Sequence, residues 1–580
     1  MRRRKTMSEK NLTGYPSIDK PWLKYYSEKA INAELPKCSM YEYMYENNKS
    51  YKENVAIDFY GHRISFSELF SNVECTAKAF VAAGITEGDV VAICSMTLPE
   101  IIYSIYALNI IGAVANMIDP RTNIERLKIY LDTSKTKLVV AIDKCISKIQ
   151  KLKDMGFQGE FITVSSKDSL SFSAKVAYSI RNPETYILGK TWKQFIAAGN
   201  HVSYQKAEYK ADTPAVIVYT GGTTGIPKGA VLSNDALNAL AFQGLHIGIE
   251  YERGHKLLNI MPPFIAYGIA CGIHMPMILG LTNVIIPLLD PDKLADLICE
   301  HKPTVLVGVP MHYEKLADSS KLENVDLSFL TFACCGGDGM NEQTEMKLNS
   351  FLLSHNAKYK IAKGYGMTEV TSAAVNCNRT TNKPGSIGIP LCRTTLAVFE
   401  PGTEKELPYN CEGELCISTS AMMLGYLENE RETKNVRHTH SDGTTWIHSG
   451  DIGYIDEDGF VYIKGRMKRM IIRPDGHNVW PAQIENIIME NATVDSCAVV
   501  GKSDKVNTSG KWPVAFIVLK NEHKGDSSIL SAIEQHCTEK IPPRDTAVEF
   551  YEIDNLPFTD IGKIDYRTLE QMAEKENDNE

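Results

Sequence analysis

Short apolar runs rich in β-branched residues alternate with amphipathic stretches over the first two thirds of the chain. Val90–Cys94, Leu138–Ile142, Ala215–Tyr219, Asn283–Ile286, Val305–Gly308 and Leu330–Ala333 read as strands. Between them, as over Ser67–Ala83 and Asp292–Glu300, apolar positions recur at helical spacing with polar residues on the other face. Such alternation predicts an α/β fold with parallel sheets covered by helices. From about Gly413 the strands shorten and acidic turns separate them, as in Glu414–Ser418 and Gly459–Ile463, which marks a smaller β-rich unit. After Gly465 the basic segment Arg466–Arg469 opens a third texture, a compact strand-and-helix pattern ending near Arg567. A charged tail, Lys575–Glu580, follows and is expected to fray. The domain boundary is placed near Lys468.

Two apolar stretches have the length of a membrane span. Ile101–Ile118 carries no charged residue, and neither do the 33 residues Leu257–Leu289. The longer one is punctuated by Pro262, Pro263, Pro276 and Pro287 and by Gly268, Gly272 and Gly280, which break a continuous helix. Both are read as buried core, and no integral membrane segment is expected. Composition agrees: 43% hydrophobic and 23% charged residues over a length of 580 describe a folded chain of about three or four units. The formal net charge of −9 offers no global basic field, and with no zinc finger or basic stripe no nucleic-acid partner is expected. The 14 cysteines form no C-x-x-C pair and suit free thiols in a reducing cytoplasm. Met1–Thr6 is basic, but the polar Ser8–Thr13 follows where a signal peptide needs an apolar run, so no secretion signal is expected.

The chemistry concentrates first in Tyr219-Thr-Gly-Gly-Thr-Thr-Gly-Ile-Pro-Lys-Gly229, directly after an apolar strand. Gly221, Gly222 and Gly225 let backbone N–H groups converge on an anion, Thr220, Thr223 and Thr224 add hydroxyl donors, and Lys228 adds charge. This is a phosphate-gripping loop by composition. It is not a Walker A loop, because Lys228 is followed by Gly229 and an apolar strand rather than by Ser or Thr at the start of a helix.

This run resembles the phosphate loop of the adenylate-forming superfamily, which includes acyl-CoA synthetases, luciferases and peptide-synthetase adenylation domains. Further segments resemble that family's motifs in order: Gly364-Tyr-Gly-Met-Thr-Glu369, Gly413-Glu-Leu415, Ser449-Gly-Asp-Ile-Gly-Tyr454, Gly465-Arg466 and Pro557-Phe-Thr-Asp-Ile-Gly-Lys563. The resemblance spans residues 50–570 and is nearest to acid:CoA ligases. It implies a large N-terminal domain, 1–467, of stacked mixed sheets with helices and a β-rich subdomain from about residue 385. A small mobile α+β domain, 468–580, is implied to carry a catalytic lysine. Two half-reactions are implied. A carboxylate attacks the α-phosphate of Mg-ATP and releases pyrophosphate, and the thiol of CoA then attacks the acyl-adenylate.

The residue types suit the roles the resemblance implies. Tyr365, flanked by Gly366 and Met367, is an aromatic plane for adenine; Thr368 offers a hydroxyl to the α-phosphate; Glu369 is a hard oxygen ligand for Mg2+. Asp451 offers a carboxylate to the ribose hydroxyls, and Arg466 a planar fork to ribose or phosphate. Gly337 and Asp338, in Cys335-Gly-Gly-Asp338, stand where the family has its adenine-edge loop. Lys563 is implied to bridge the attacking carboxylate and the α-phosphate, where charge develops. Lys468 is the implied hinge, and the segment at Gly476 the implied lining of the thiol tunnel.

The chain departs from the pattern at several points. Met261-Pro-Pro-Phe-Ile-Ala-Tyr-Gly268 resembles the substrate-pocket motif with Ile265 in place of the frequent His. An Ile cannot pair with an ammonium group, so Phe264, Ile265, Ala266 and Gly268 point to an apolar, aliphatic acid. Lys363 replaces the family's Gln and would suit a substrate with an extra acidic or polar group. The loop Ile472–His477 is one residue longer around Pro474, and Gly221 replaces a Ser. The main alternative is a ligase that loads a carrier protein's phosphopantetheine arm. A reading of another class is a membrane-associated or non-catalytic nucleotide-binding protein. A homodimer is compatible with the sequence but not indicated by it.

Overall fold

The computed structural model describes residues 12–181, 187–220, 227–504, 510–558 and 564–579. Two large sheets organise the first two thirds. The first has eight strands in the order Gly425–Tyr426, Gly229–Ser233, Pro214–Tyr219, Val114–Ile118, Val90–Cys94, Leu138–Ile142, Glu160–Val164 and Lys190–Thr191. Its six neighbours from Pro214–Tyr219 outward pair in parallel, and the return strand Gly229–Ser233 pairs antiparallel. The second has nine strands, with a parallel centre running Ala362–Tyr365, Phe332–Cys335, Val305–Gly308, Lys256–Asn259, Thr282–Ile285 and Val55–Phe59.

One apolar core, with residues from both sheets, explains the span-like stretches. All twelve residues of the helix Pro99–Ile110 are buried, and Val114–Ile118 is buried along its length, so neither shows a polar face. The 33-residue stretch folds as strand, π-helical turn (Gly268–His274), short helix (Met275–Leu279) and strand; Pro262 and Pro263 precede the helical part and Gly280 ends it, whereas Gly268, Gly272 and Pro276, expected to break a helix, lie inside it. Among the described residues no helix is long and apolar enough to cross a membrane.

A third, five-stranded sheet pairs Thr394–Phe399, Gly413–Thr419 and Thr445–Ile455, with Arg437–Thr439 and Val461–Arg466 both on Thr445–Ile455. Period-two alternation separates its faces. Leu396, Val398, Leu415, Ile417 and Ile447 pack with Val370 and Val375, while Ala397, Phe399, Cys416 and Trp446 cluster on the opposite face. The last hundred residues form a sheet of Val494–Ser503, Lys511–Leu519 and Glu549–Glu552. Val499 and Ile517 face the helices Pro481–Ile488 and Ser527–Lys540, and Val500 and Phe516 face the helix Tyr566–Asn579.

Several local expectations change. The strands after Gly413 are not shorter, Gly413–Thr419 having 7 residues and Thr445–Ile455 having 11, and the strand expected from Gly459 begins at Val461. The strand placed at Leu330–Ala333 lies two residues later, Phe332–Cys335, because Leu330 caps a turn through its N–H to the Leu327 carbonyl. The charged tail expected to fray is helical through Asn579, since Leu569 and Ala573, four apart, anchor the helix on the sheet. All fourteen cysteines are free thiols.

Candidate active site

The phosphate-loop segment leaves the first sheet at Tyr219 and re-enters it at Gly229, which lie opposite each other in an antiparallel register. Its neck is closed by Thr220: its N–H donates to the Lys228 carbonyl (2.9 Å), and its Oγ1 accepts from the Lys228 N–H (3.3 Å). Gly221, Gly222, Thr223, Thr224 and Gly225 lie outside the described residues. The Lys228 ammonium pairs with Glu432 at 2.9 Å and sits 4.5 Å over the Tyr426 ring. Glu432 is held below the usual carboxylate range by that ammonium.

The same Tyr426 donates its hydroxyl to Glu369, joining the neck of the loop to the Gly364–Glu369 motif. Glu369 is buried, and no cation pairs with it among the described residues. A buried carboxylate without a counter-charge fits a divalent cation carried in with a triphosphate. Gly366 is sterically fixed: a Cβ there would lie 1.7 Å from the Ser372 carbonyl oxygen. Thr368 opens a single helical turn that ends at Thr371, a β-branched residue at φ 65°. Such backbone strain is tolerated where surroundings over-determine it, here by the Thr371 hydroxyl donating to the Ala421 carbonyl at 2.6 Å.

Tyr365 and Asp451 come together from separate sheets. The Tyr365 hydroxyl donates to Asp451 Oδ2 at 2.6 Å, and Arg466 Nε lies 3.0 Å from Oδ1. Asp451 and Arg466 are direct cross-strand partners, which places the guanidinium beside the carboxylate. Burial raises the Asp451 carboxyl, against the lowering pull of Arg466 and the Tyr365 hydroxyl. Burial and the adjacent Asp451 charge likewise push the Tyr365 phenol up.

Gly337 and Asp338 form an exposed loop after the strand Phe332–Cys335, with Gly337 at φ +84°. A Cβ on the neighbouring Gly336 would come within 3.1 Å of the Gly364 carbonyl, so this loop abuts the strand that carries Tyr365. Both loops leave the C-terminal ends of parallel strands, where open α/β sheets bind ligands.

In the substrate-pocket motif Phe264 and Ala266 are buried and Ile265 is half-buried. Gly268 is forced by packing, since a Cβ would lie 1.8 Å from the Pro262 carbonyl. The following π-helical turn leaves the Gly272 carbonyl to the amides of Asn259 and Asn283, each at 2.7 Å. Cys271 Sγ lies 3.6 Å from Ser372 Oγ, tying this turn to the Thr368–Val370 turn. His274 bridges Tyr106 and Asn238, and burial lowers it to about 3, so it stays neutral.

Lys363 does not present its charge to a ligand. Its ammonium pairs with Glu345 at 2.6 Å, both side chains less than a tenth exposed. An acidic substrate group is therefore not what this departure provides. Lys563 lies outside the described residues; Phe558 and Ile564, on either side of that segment, pair as an antiparallel bridge. Lys468 is exposed in the turn Met467–Arg469, and Gly476 is exposed at φ +79°. The longer loop is stapled by Arg473, whose guanidinium stacks 4.5 Å from the Trp512 ring and donates to the Arg544 carbonyl at 2.5 Å.

Sequence reasoning passed over Tyr426, Glu432 and Ser372. Tyr426 follows Gly425 in a two-residue strand at the edge of the first sheet, a pattern too short to stand out by periodicity.

Residues 44–427 match the family described as AMP-binding enzyme, and residues 483–563 match the AMP-binding enzyme C-terminal domain. The chain is 29% identical to a long-chain-fatty-acid–CoA ligase of Bacillus subtilis (strain 168), over 97% of this chain and 99% of that protein. It is 25% identical to the 4-coumarate–CoA ligase CCL1 of Humulus lupulus, over 90% and 92%. The crystal structure of ATP-bound MatB from Rhodopseudomonas palustris superposes with a TM-score of 0.78 at 23% identity, covering 92% of this chain and 98% of that one.

Proposed function

The chain belongs to the AMP-binding enzyme family, and we infer that it works as an AMP-forming acid:CoA ligase whose acid carries an apolar acyl group. The observation that carries this reading is one cluster with three parts. Asp451, Tyr365 and Arg466 form a ribose-and-base corner, Glu369 is a buried carboxylate without a counter-charge, and Lys228 stands at the neck of the phosphate loop. Tyr426 ties the last two together.

Each group has a definite task in this reading. Asp451 accepts from the ribose hydroxyls, with Arg466 beside it. Tyr365 lies along the base, and Gly337 and Asp338 border its edge. Thr220, Thr368 and Lys228 address the phosphates, Lys228 exchanging Glu432 for phosphate oxygen. Glu369 holds Mg2+, which when bound offsets the triphosphate charge. Lys563 is assigned to the developing charge between the carboxylate and the α-phosphate. Lys468, exposed between two separately cored units, is assigned as the hinge, and Gly476 as part of the thiol path. Free thiols throughout suit a reducing compartment such as the cytoplasm.

The acid is read from Phe264, Ile265, Ala266 and Cys271, a lining with no acidic residue between Met261 and His274 to pair an ammonium group. The test is to incubate the protein with Mg-ATP, CoA and a panel of short, medium, long, aromatic and α-amino acids, and to weigh the thioesters formed. Acyl-CoA from apolar acids alone is the expected result. Preference for α-amino acids would overturn the pocket assignment, and adenylate without thioester would point to a carrier-protein acceptor.

A further inference from the structure

On the outer face of the third sheet a polar chain is buried beside Phe399 and Trp446. Glu414 Oε2 lies 2.9 Å from His448 Nδ1, and His448 Nε2 lies 3.1 Å from His440 Nε2. The ring centroids of His440 and His448 are 5.3 Å apart, so the two nitrogens meet nearly head-on, as in an N–H···N hydrogen bond. Glu414 Oε1 accepts the N–H of Gly450 at 3.0 Å, and Gly450 immediately precedes Asp451.

The strand register shows why that last bond matters. Cys416 pairs with His448 and Glu414 with Ile452, so Ser449, Gly450 and Asp451 stand opposite the single residue Leu415. The segment is a bulge, with Gly450 at φ +70°. Toward Gly413–Thr419 the bulged residues lose their ladder partners; Asp451 keeps Arg466 on the other side, but the Ser449 and Gly450 peptides must be held by other groups. The Ser449 hydroxyl donates to the Leu415 carbonyl at 2.6 Å and accepts the Asp451 N–H at 3.0 Å, and Glu414 takes the Gly450 N–H.

We propose that Glu414, held by His448 and through it by His440, is a positioning residue that fixes the Ser449–Asp451 bulge and thereby aims the Asp451 carboxylate at the nucleotide ribose. Glu414 touches no nucleotide. It acts by pinning the peptide from which Asp451 projects, and the histidine pair keeps its second oxygen from turning away. The inference rests on the ribose role given to Asp451 above.

Equilibrium binding of ATP and of 2′,3′-dideoxy-ATP to the full chain, with Mg2+ and no acid or CoA, separates the possibilities. In the wild type the dideoxy nucleotide should bind about tenfold more weakly, and Asp451→Ala should abolish that ratio. Glu414→Leu should weaken ATP about tenfold and leave dideoxy-ATP unchanged, so the ratio collapses without touching Asp451, whereas Glu414→Gln, which keeps an acceptor for Gly450, should retain most of it. Should Glu414→Leu fail to fold, His448→Phe preserves ring volume and should lower the ratio a few-fold. An unchanged ratio in the folded Glu414 and His448 variants, or equal losses for both nucleotides, would overturn the positioning role alone. A wild type that binds ATP without preferring it to the dideoxy form would overturn the ribose assignment itself.

Discussion

Glu100 sits in the first turn of the fully buried helix Pro99–Ile110, with the Ser169 hydroxyl donating to it at 2.5 Å. It is 2% exposed, and no cation is paired with it among the described residues. Burial pushes its carboxyl from the ordinary 4.5 up to about 7, against the lowering effect of the Ser169 hydrogen bond. Between those two values the folded chain binds a proton that the unfolded chain has released. Stability contributed by the neutral carboxyl is therefore intact below pH 4.5 and is lost as pH rises to about 7. By pH 8 the loss amounts to about 3 kcal/mol, a large share of a typical stability of about 5–15 kcal/mol. Glu100→Gln keeps the carbonyl acceptor for Ser169 and removes the ionisation. Urea unfolding followed by tryptophan fluorescence from pH 4.5 to 8 should show the variant gaining on the wild type by about 3 kcal/mol, nearly all of it below pH 7.5. A gap that stays flat across the range would mean that the carboxyl ionises freely in the folded state, and the reasoning from burial would fail.

Three other perturbations follow from the same geometry. Tyr365→Phe removes one hydrogen bond to Asp451 while keeping the ring, and should raise KM for ATP about three- to tenfold with little change in kcat, read from initial rates. Gly366→Ala drives a methyl into the Ser372 carbonyl, so nucleotide binding should fall by more than tenfold in a chain that still shows native secondary structure by circular dichroism. Lys363→Met strands the Glu345 carboxylate in the interior and should cost about 3–5 kcal/mol in urea unfolding, whereas Lys363→Met with Glu345→Leu should recover most of it and leave acid preference unchanged.

The layers were legible where the strands are short, β-branched and largely buried, as in Val90–Cys94 and Leu138–Ile142, whose predicted bounds the structure keeps, whereas Lys256–Asn259 and Ala362–Tyr365 carry no β-branched residue. The cluster of Asp451, Arg466 and Tyr365 was legible for another reason: the three lie in ordered motifs, although only folding shows that their polar atoms meet. Local patterning could not tell that Lys363 would turn onto Glu345, since a lysine beside a glycine-rich motif reads as a ligand until the helix Glu342–Ser354 supplies its partner. Nor could it show the bulge at Ser449–Asp451, which exists only as a mismatch of register between two strands. Tyr426 was hidden because its role depends on two neighbours far away in sequence, Lys228 and Glu369.

We infer that one active site joins a carboxylic acid to AMP with Lys563 at the reacting centre. It is tested most directly by acid-dependent pyrophosphate release from Mg-ATP in the wild type and in Lys563→Ala, with ATP binding measured alongside. Release should require an apolar acid and fall by at least about a hundredfold in the variant, with ATP affinity within a few-fold of wild type. Equal release in the two proteins, or none in the wild type with any acid, would contradict it.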